Sequence, residues 1–288
     1  MQPYPGLERW SRTVTLPRSG IRLFLFDTGS GDQTPVVLLH GLGDEADTWR
    51  HVLPGIAGQR RVIAPDLPGF GRSDQGKHKY TIPFFADTVL ELVDTLSLQK
   101  VIVVGHSTGA LIAQEFALRN PGWVERLILI GGSLVSGETK LDRSLLFFLL
   151  PGLGEWTYNR LRKDPQAAYR SLEPYYSRLD DLPQAERDFL YQRVNERVWS
   201  SGQRRGFLST LRGMAAWLPS QQKGLPHRLR DFHVPTTVIW GENDRIVPVQ
   251  NARALTEMLP DALPVIVPGA GHNVHQEQPD AVIAAIKT

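Results

Sequence analysis

A serine between glycines, Gly105-His106-Ser107-Thr108-Gly109, stands where the β-branched run Val101-Ile102-Val103-Val104 gives way to a helical stretch beginning at Ala110-Leu111-Ile112-Ala113. A strand-to-helix turn that sharp leaves no room for side chains beside the serine. Glycines therefore flank it, and the strained serine projects its Oγ above the sheet edge. Backbone N–H groups at the start of the new helix, that of Thr108 first among them, face any oxyanion formed at that serine. A serine hydroxyl is a poor nucleophile near neutral pH; it needs a base within hydrogen-bond reach, and the base needs an orienting carboxylate. Two later loops follow strand-like runs and can supply these groups. Gly241-Glu242-Asn243-Asp244-Arg245 carries two candidate acids, and Pro268-Gly269-Ala270-Gly271-His272 ends on a histidine. The chain order is serine, acid, histidine.

Short aliphatic runs alternating with amphipathic helical patterns must position these groups, which implies a mostly parallel sheet covered on both faces. Arg12–Leu16 and Ile21–Asp27 read as an opening hairpin, Val36–His40 and Arg61–Asp66 as buried strands, and Phe84–Leu96 as a helix leading to Lys100–Val104. A sixth strand is expected over Arg126–Gly132. The rhythm then breaks: from about Leu134 to Phe232 the pattern is helical, rich in aromatics and arginine. Strands resume at Thr236–Trp240 and Leu263–Val267, with helices near Val249–Leu259 and from Pro279. The middle segment reads as a helical insertion, a cap over the strand ends where open parallel sheets bind ligands. The expected organisation is a core of residues 1–133 and 233–288 with residues 134–232 as the cap. Leu146, Phe147, Trp156 and Trp217 are candidates for an apolar substrate pocket, although a cap needs such residues for its own core as well.

With 288 residues the chain can bury a large core, and its net charge of +2 gives no case for nucleic acid as a partner. The absence of cysteine removes disulfides, thiolate nucleophiles and thiolate metal sites. No metal-ligand spacing, phosphate loop or dinucleotide fingerprint appears, so no metal and no cofactor is expected. No secretory signal is visible, and Leu145–Leu150, the longest apolar stretch, is far short of a bilayer span. The expectation is a cytoplasmic protein with no stable membrane insertion, no obligate protein partner and a small-molecule substrate.

Four segments in the same order resemble the α/β-hydrolase fold family over nearly the whole chain: His40-Gly41-Leu42-Gly43, Asp66-Leu67-Pro68-Gly69-Phe70-Gly71-Arg72-Ser73, Gly105–Gly109, and Gly241…Asp244 with Gly271-His272. The resemblance implies the α/β-hydrolase fold with an inserted helical cap. It makes Ser107 the nucleophile, His272 the general base and then acid, and Asp244 the orienting acid. Glu242 is the competing acid and His275 the competing histidine. The oxyanion donors are the backbone N–H groups of Thr108 and Leu42. His106 packs beneath the elbow, His40 orients its loop, and Asp66 with Arg72 fixes the loop beside the site. A serine nucleophile argues against the family's dehalogenases and epoxide hydrolases, which use aspartate there. The expected activity is that of a carboxylesterase acting on short to medium acyl or aryl esters through an acyl-enzyme. The alternatives are a carbon–carbon bond hydrolase of the meta-cleavage type or an acylglycerol lipase on the same triad and, in another class, a triad-retaining small-ligand receptor.

Overall fold

The computed structural model describes residues 1–135, 143–259 and 261–288. Eight strands form one sheet: β1 (Ser11–Thr15), β2 (Arg22–Asp27), β3 (Gln33–Leu39), β4 (Arg60–Pro65), β5 (Val101–His106), β6 (Val124–Ile130), β7 (Thr236–Gly241) and β8 (Leu263–Val267). Their order across the sheet is β1-β2-β4-β3-β5-β6-β7-β8. The opening pairs β1–β2 and β2–β4 are antiparallel, and every later pair is parallel. All six residues of β5 are buried, as a central parallel strand covered on both faces requires.

Among the described residues, helices α1 (Leu53–Ile56), α2 (Ile82–Thr95) and α3 (Thr108–Arg119) precede the insertion. Helices α10 (Gln250–Met258), α11 (Val274–Glu277) and α12 (Pro279–Lys287) follow it. They divide between the two faces of the sheet. Phe85, Val89 and Leu92 of α2, with Ile112 and Phe116 of α3, join one apolar layer, which also takes Leu255 of α10. Leu53 and Ile56 of α1 and Val282 and Ile286 of α12 join the other. Thr81 caps α2, its hydroxyl accepting from the Phe84 N–H, and Pro83 occupies the first turn, where a missing N–H costs nothing.

Between β6 and β7 the described residues are helical: α4 (Arg143–Leu149), α5 (Leu153–Leu161), α6 (Pro165–Arg170), α7 (Gln184–Trp199), α8 (Ser201–Gln221) and α9 (Leu225–Arg230). Residues 136–142 of the expected cap lie outside the described residues. Tyr158, Tyr169, Tyr176, Leu190, Val194 and Val198 form an apolar cluster belonging to this insertion. Leu225 and Leu229 of α9, with Phe232, instead join the sheet's own core.

Helix α8 approaches the core through glycine. A Cβ on Gly206 would lie 2.5 Å from the Gly69 carbonyl oxygen, and one on Gly213 would lie 2.8 Å from that of Tyr80. With Gly202 these positions recur at helical spacing, so one face of α8 presses directly on the loop after β4. The adjacent face then carries Met214 toward Thr108, just after β5, and Phe207 toward Gly43, in the loop after β3.

Candidate active site

Ser107 closes the turn between β5 and α3 with φ 53° and ψ −119°, a conformation costly for any residue with a Cβ. Its strain is held in place from three sides. The Ser107 N–H donates to the Ile130 carbonyl at 2.8 Å, and its carbonyl accepts from Ala110 at 2.9 Å. A Cβ on Gly132 would sit 2.4 Å from that carbonyl oxygen, and one on Gly109 would sit 2.2 Å from the Leu39 oxygen. Both close approaches are possible only without side chains.

Asp244 and His272 are brought together by the loops after β7 and β8. A Cβ on Gly241 would lie 2.0 Å from the Gly271 oxygen, so the two loops touch backbone to backbone. His272 Nδ1 donates to Asp244 Oδ2 at 2.8 Å, both side chains being almost fully buried. The other Asp244 oxygen accepts the N–H groups of Ile246 and Val247, each at 2.9 Å, which fixes the carboxylate's orientation. With Nδ1 carrying the proton, Nε2 is the basic nitrogen. That nitrogen is buried and has no hydrogen-bond partner, Ser107 Oγ included, among the described residues. The serine and the imidazole nonetheless flank one dipeptide, Gly131-Gly132, at the end of β6. A Cβ on Gly131 would meet His272 at 3.2 Å, while one on Gly132 would meet the Ser107 backbone. An unpaired basic nitrogen beside a serine leaves an open position for a proton in transit.

Glu242 is exposed and accepts from the Gly269 N–H at 3.1 Å, outside this pair. His275 lies in α11, buried, with Nε2 2.6 Å from Thr48 Oγ1. His106 lies tilted between His272 and His275, at ring-centroid distances of 4.8 and 4.3 Å. Burial first, and then the neighbouring imidazoles, holds His106 and His275 well below the usual histidine pKa, so both are neutral packing rings. His40 Nε2 accepts from the Leu67 N–H at 2.9 Å and ties its loop to the one after β4.

The Leu42 and Thr108 N–H groups have no backbone acceptor among the described residues. The strip that holds Leu42 runs alongside the serine: a Cβ on Gly41 would lie 3.3 Å from Ser107 Cβ. The apolar candidates are placed differently. Leu146, Phe147 and Trp156 are 46–56% exposed on α4 and α5. Trp217 packs half-buried on the sheet's core. Other residues reach the site instead. Met214 Sδ lies 4.0 Å from Thr108 Oγ1, Phe207 packs 3.1 Å from the Gly43 Cβ position, and the Tyr175 ring lies 5.8 Å from that of His272. The Phe207 and Met214 positions carry a sequence signal, the seven-residue spacing on a helix with glycine spacing beside it. Tyr175 carries none. It is placed by stitching, since Asn273 N–H donates to the Tyr175 carbonyl at 2.9 Å and Arg245 donates to those of Glu173 and Tyr176.

The insertion is also joined to the core by a buried charge network. Arg197 of α7 forks onto Glu45 at 2.6 and 2.7 Å and also pairs with Asp44. Arg72 holds Asp66 at 2.8 Å and Asp47 at 2.5 Å, consistent with the expected loop-fixing role of Asp66 and Arg72. Burial pushes the Asp47 carboxyl up to about 6 against the pull of Arg72, with Glu45 and Asp66 adding to the rise. Between that value and the ordinary 3.8, the folded protein holds a proton that the unfolded chain has released. Ionised Asp47 is thus a penalty above about pH 6, relieved as pH falls through this window. Relative to Asp47→Asn, the wild type is expected to gain stability by up to ~1.4 kcal/mol per pH unit between about pH 6 and pH 5, read from urea unfolding.

The fold is that of the α/β-hydrolase fold family, to which the chain belongs: the family's pattern matches residues 34–279. The chain is 32% identical to 2-hydroxy-6-oxononadienedioate/2-hydroxy-6-oxononatrienedioate hydrolase of Cupriavidus pinatubonensis, over 91% of this chain and 89% of that one. It superposes on an esterase from Thermogutta terrifontis with TM-score 0.75 and 25% identity, covering 96% of each chain. Cfl2 from Burkholderia cenocepacia superposes with TM-score 0.81 at 24% identity, covering 99% of each chain, and supports the fold alone. No helix among the described residues is long and apolar enough to cross a membrane.

Proposed function

We propose that the protein is a serine carboxylesterase acting on short to medium acyl or aryl esters, with residues 134–232 as a cap over a core of 1–133 and 233–288. Ser107 Oγ attacks the ester carbonyl while His272 Nε2 takes its proton, and Asp244 stabilises the imidazolium that forms. The N–H groups of Leu42 and Thr108 hold the oxyanion. The protonated His272 then returns its proton to the leaving alcohol. Water, activated by the same imidazole, releases the acid.

The observation that carries this reading is where the cap's arginines point. Arg197 and Arg193 turn to Glu45, Arg212 turns to Glu155, and Arg228 turns to Glu115. Arg162 donates to the Val198 carbonyl at 2.9 Å and Arg204 to Asn159 Oδ1 at 2.6 Å. Among the described residues, Phe207, Met214 and the Tyr175 ring reach the site, and Leu42 packs half-buried on the sheet's core beside it. A largely apolar wall of this kind suits an uncharged acyl or aryl group, and a carboxylate placed against Phe207 and Met214 would lose hydration to side chains that return no charge.

The carbon–carbon hydrolase is the second reading, favoured by the Cupriavidus relative, whose named substrates are dioates. A p-nitrophenyl ester series from acetate to octanoate, run beside a 2-hydroxy-6-oxo-dienoate, decides between them. The expected result is ester turnover with a preference inside that series and little cleavage of the dienoate. The opposite ranking would establish the carbon–carbon reading.

A further inference from the structure

We propose that the cleft between residues 76–81 and helix α8 binds a ligand carrying clustered phosphate groups. The cleft has a volume of about 630 Å³, and five cationic side chains line it, Lys77, Lys79, Arg204, Arg205 and Arg212, against the single carboxylate of Glu155. Five positive charges less one negative leave +4 here, whereas the whole chain carries only +2. The rest of the molecule is therefore close to balanced and slightly net negative, and the cleft carries the local excess of positive charge.

The protein does not neutralise it from within. Glu155 is already held by Arg212 at 2.8 and 3.1 Å, an arrangement that lowers its pKa to about 2. Among the described residues, Arg204 and Arg205 donate to neutral oxygens, Asn159 Oδ1 and the Gln75 carbonyl. Lys77 and Lys79 are exposed, and no carboxylate among the described residues pairs with them. Like charges gathered without counter-charge repel one another, and an anionic ligand relieves that repulsion. Arginine forks together with mobile lysine ammonium groups match the several oxygens of a phosphate cluster.

The walls are set before any ligand arrives. Tyr80 Oη donates to the Gly76 carbonyl at 2.7 Å and closes the loop that displays Lys77 and Lys79. His78 stacks on Phe84 at 5.4 Å. The tight contact of Gly213 with the Tyr80 carbonyl clamps that loop to α8. A backbone already held in place lowers the ordering cost of binding to that of the lysine and arginine side chains. Arg205, Ser209 and Arg212 also lie across α8 from Phe207 and Met214, so the cleft and the serine site use opposite sides of one helix.

Calorimetry with inorganic tripolyphosphate, and co-sedimentation with phosphatidylglycerol against phosphatidylcholine vesicles, test the proposal and distinguish a free phosphate ligand from a lipid headgroup. Binding to either anionic probe is expected, weakened about tenfold (~1.4 kcal/mol) in Lys77→Ala/Lys79→Ala and again in Arg205→Ala. All three positions are exposed, so the variants should unfold at the wild-type temperature. Ser107→Ala should bind as the wild type does, whatever the outcome of the ester assays. No binding to either probe would overturn the proposal. So would binding unchanged by these variants, lost in Ser107→Ala, or displaced by sulfate at equal concentration.

Discussion

Replacing Ser107 by alanine is expected to lower ester turnover by a factor on the order of 10⁵–10⁶ while leaving the fold in place. On the proposed mechanism the loss is large because the Ser107 hydroxyl is the group that forms the acyl bond. The residual rate comes from the oxyanion donors and from substrate binding, which the substitution leaves intact. The fold survives because alanine occupies the same strained backbone at the same cost as serine, and the half-buried hydroxyl holds no partner among the described residues. Ser107→Gly sharpens the test. It should be equally inactive yet more stable than Ser107→Ala by about 1 kcal/mol or more, since glycine carries no penalty at φ 53°. Substantial ester turnover by either variant would remove Ser107 from the role of nucleophile, and fluorophosphonate labelling reads the same point independently.

A large stability loss is expected at Gly109. A methyl group there would stand 2.2 Å from the Leu39 oxygen and 2.6 Å from the His40 oxygen, both backbone atoms of a buried strand and its loop. Neither can swing aside as a side chain could. The first turn of α3 would have to lift from β3, opening the layer in which Ile112 and Phe116 pack. Gly109→Ala is therefore expected to cost on the order of 4–5 kcal/mol or to prevent folding, seen as a lowered denaturant midpoint or loss of folded protein. Gly122→Ala is the control: nothing lies within 4 Å of its Cβ position, and its midpoint should barely move.

The strands were legible because each central one is a short, nearly continuous β-branched run bounded by turn residues. The sixth ends at Ile130 rather than Gly132, and the two glycines left over are what allow Ser107 and His272 to stand side by side. The Asp244–His272 pairing was readable from chain order and the family's spacing. The helical segment between β6 and β7 was not readable in the same way. Aromatic content shows that a helix must bury a face, but not whether sheet, cap or solvent receives it. Leu146, Phe147 and Trp156 are exposed, while Phe207 and Met214, no more apolar, reach the site. The glycine spacing at 206 and 213 held the missing information, because only a helix pressed against backbone needs it. The joint from Arg197 to Glu45 spans 152 residues of sequence, and no local pattern announces a contact of that range.

The burial of that joint separates two kinds of charge in the protein. Arg197 is 13% exposed and Glu45 not at all, so dissolved counter-ions have little access to the pair. Lys77, Lys79 and Arg205 stand in open solvent, where at about 0.15 M ionic strength fields decay within roughly 8 Å. A salt titration thus becomes a dissecting tool: concentrated chloride blankets the outer cations while the union of α7 with the sheet holds, and each is examined with the other silenced.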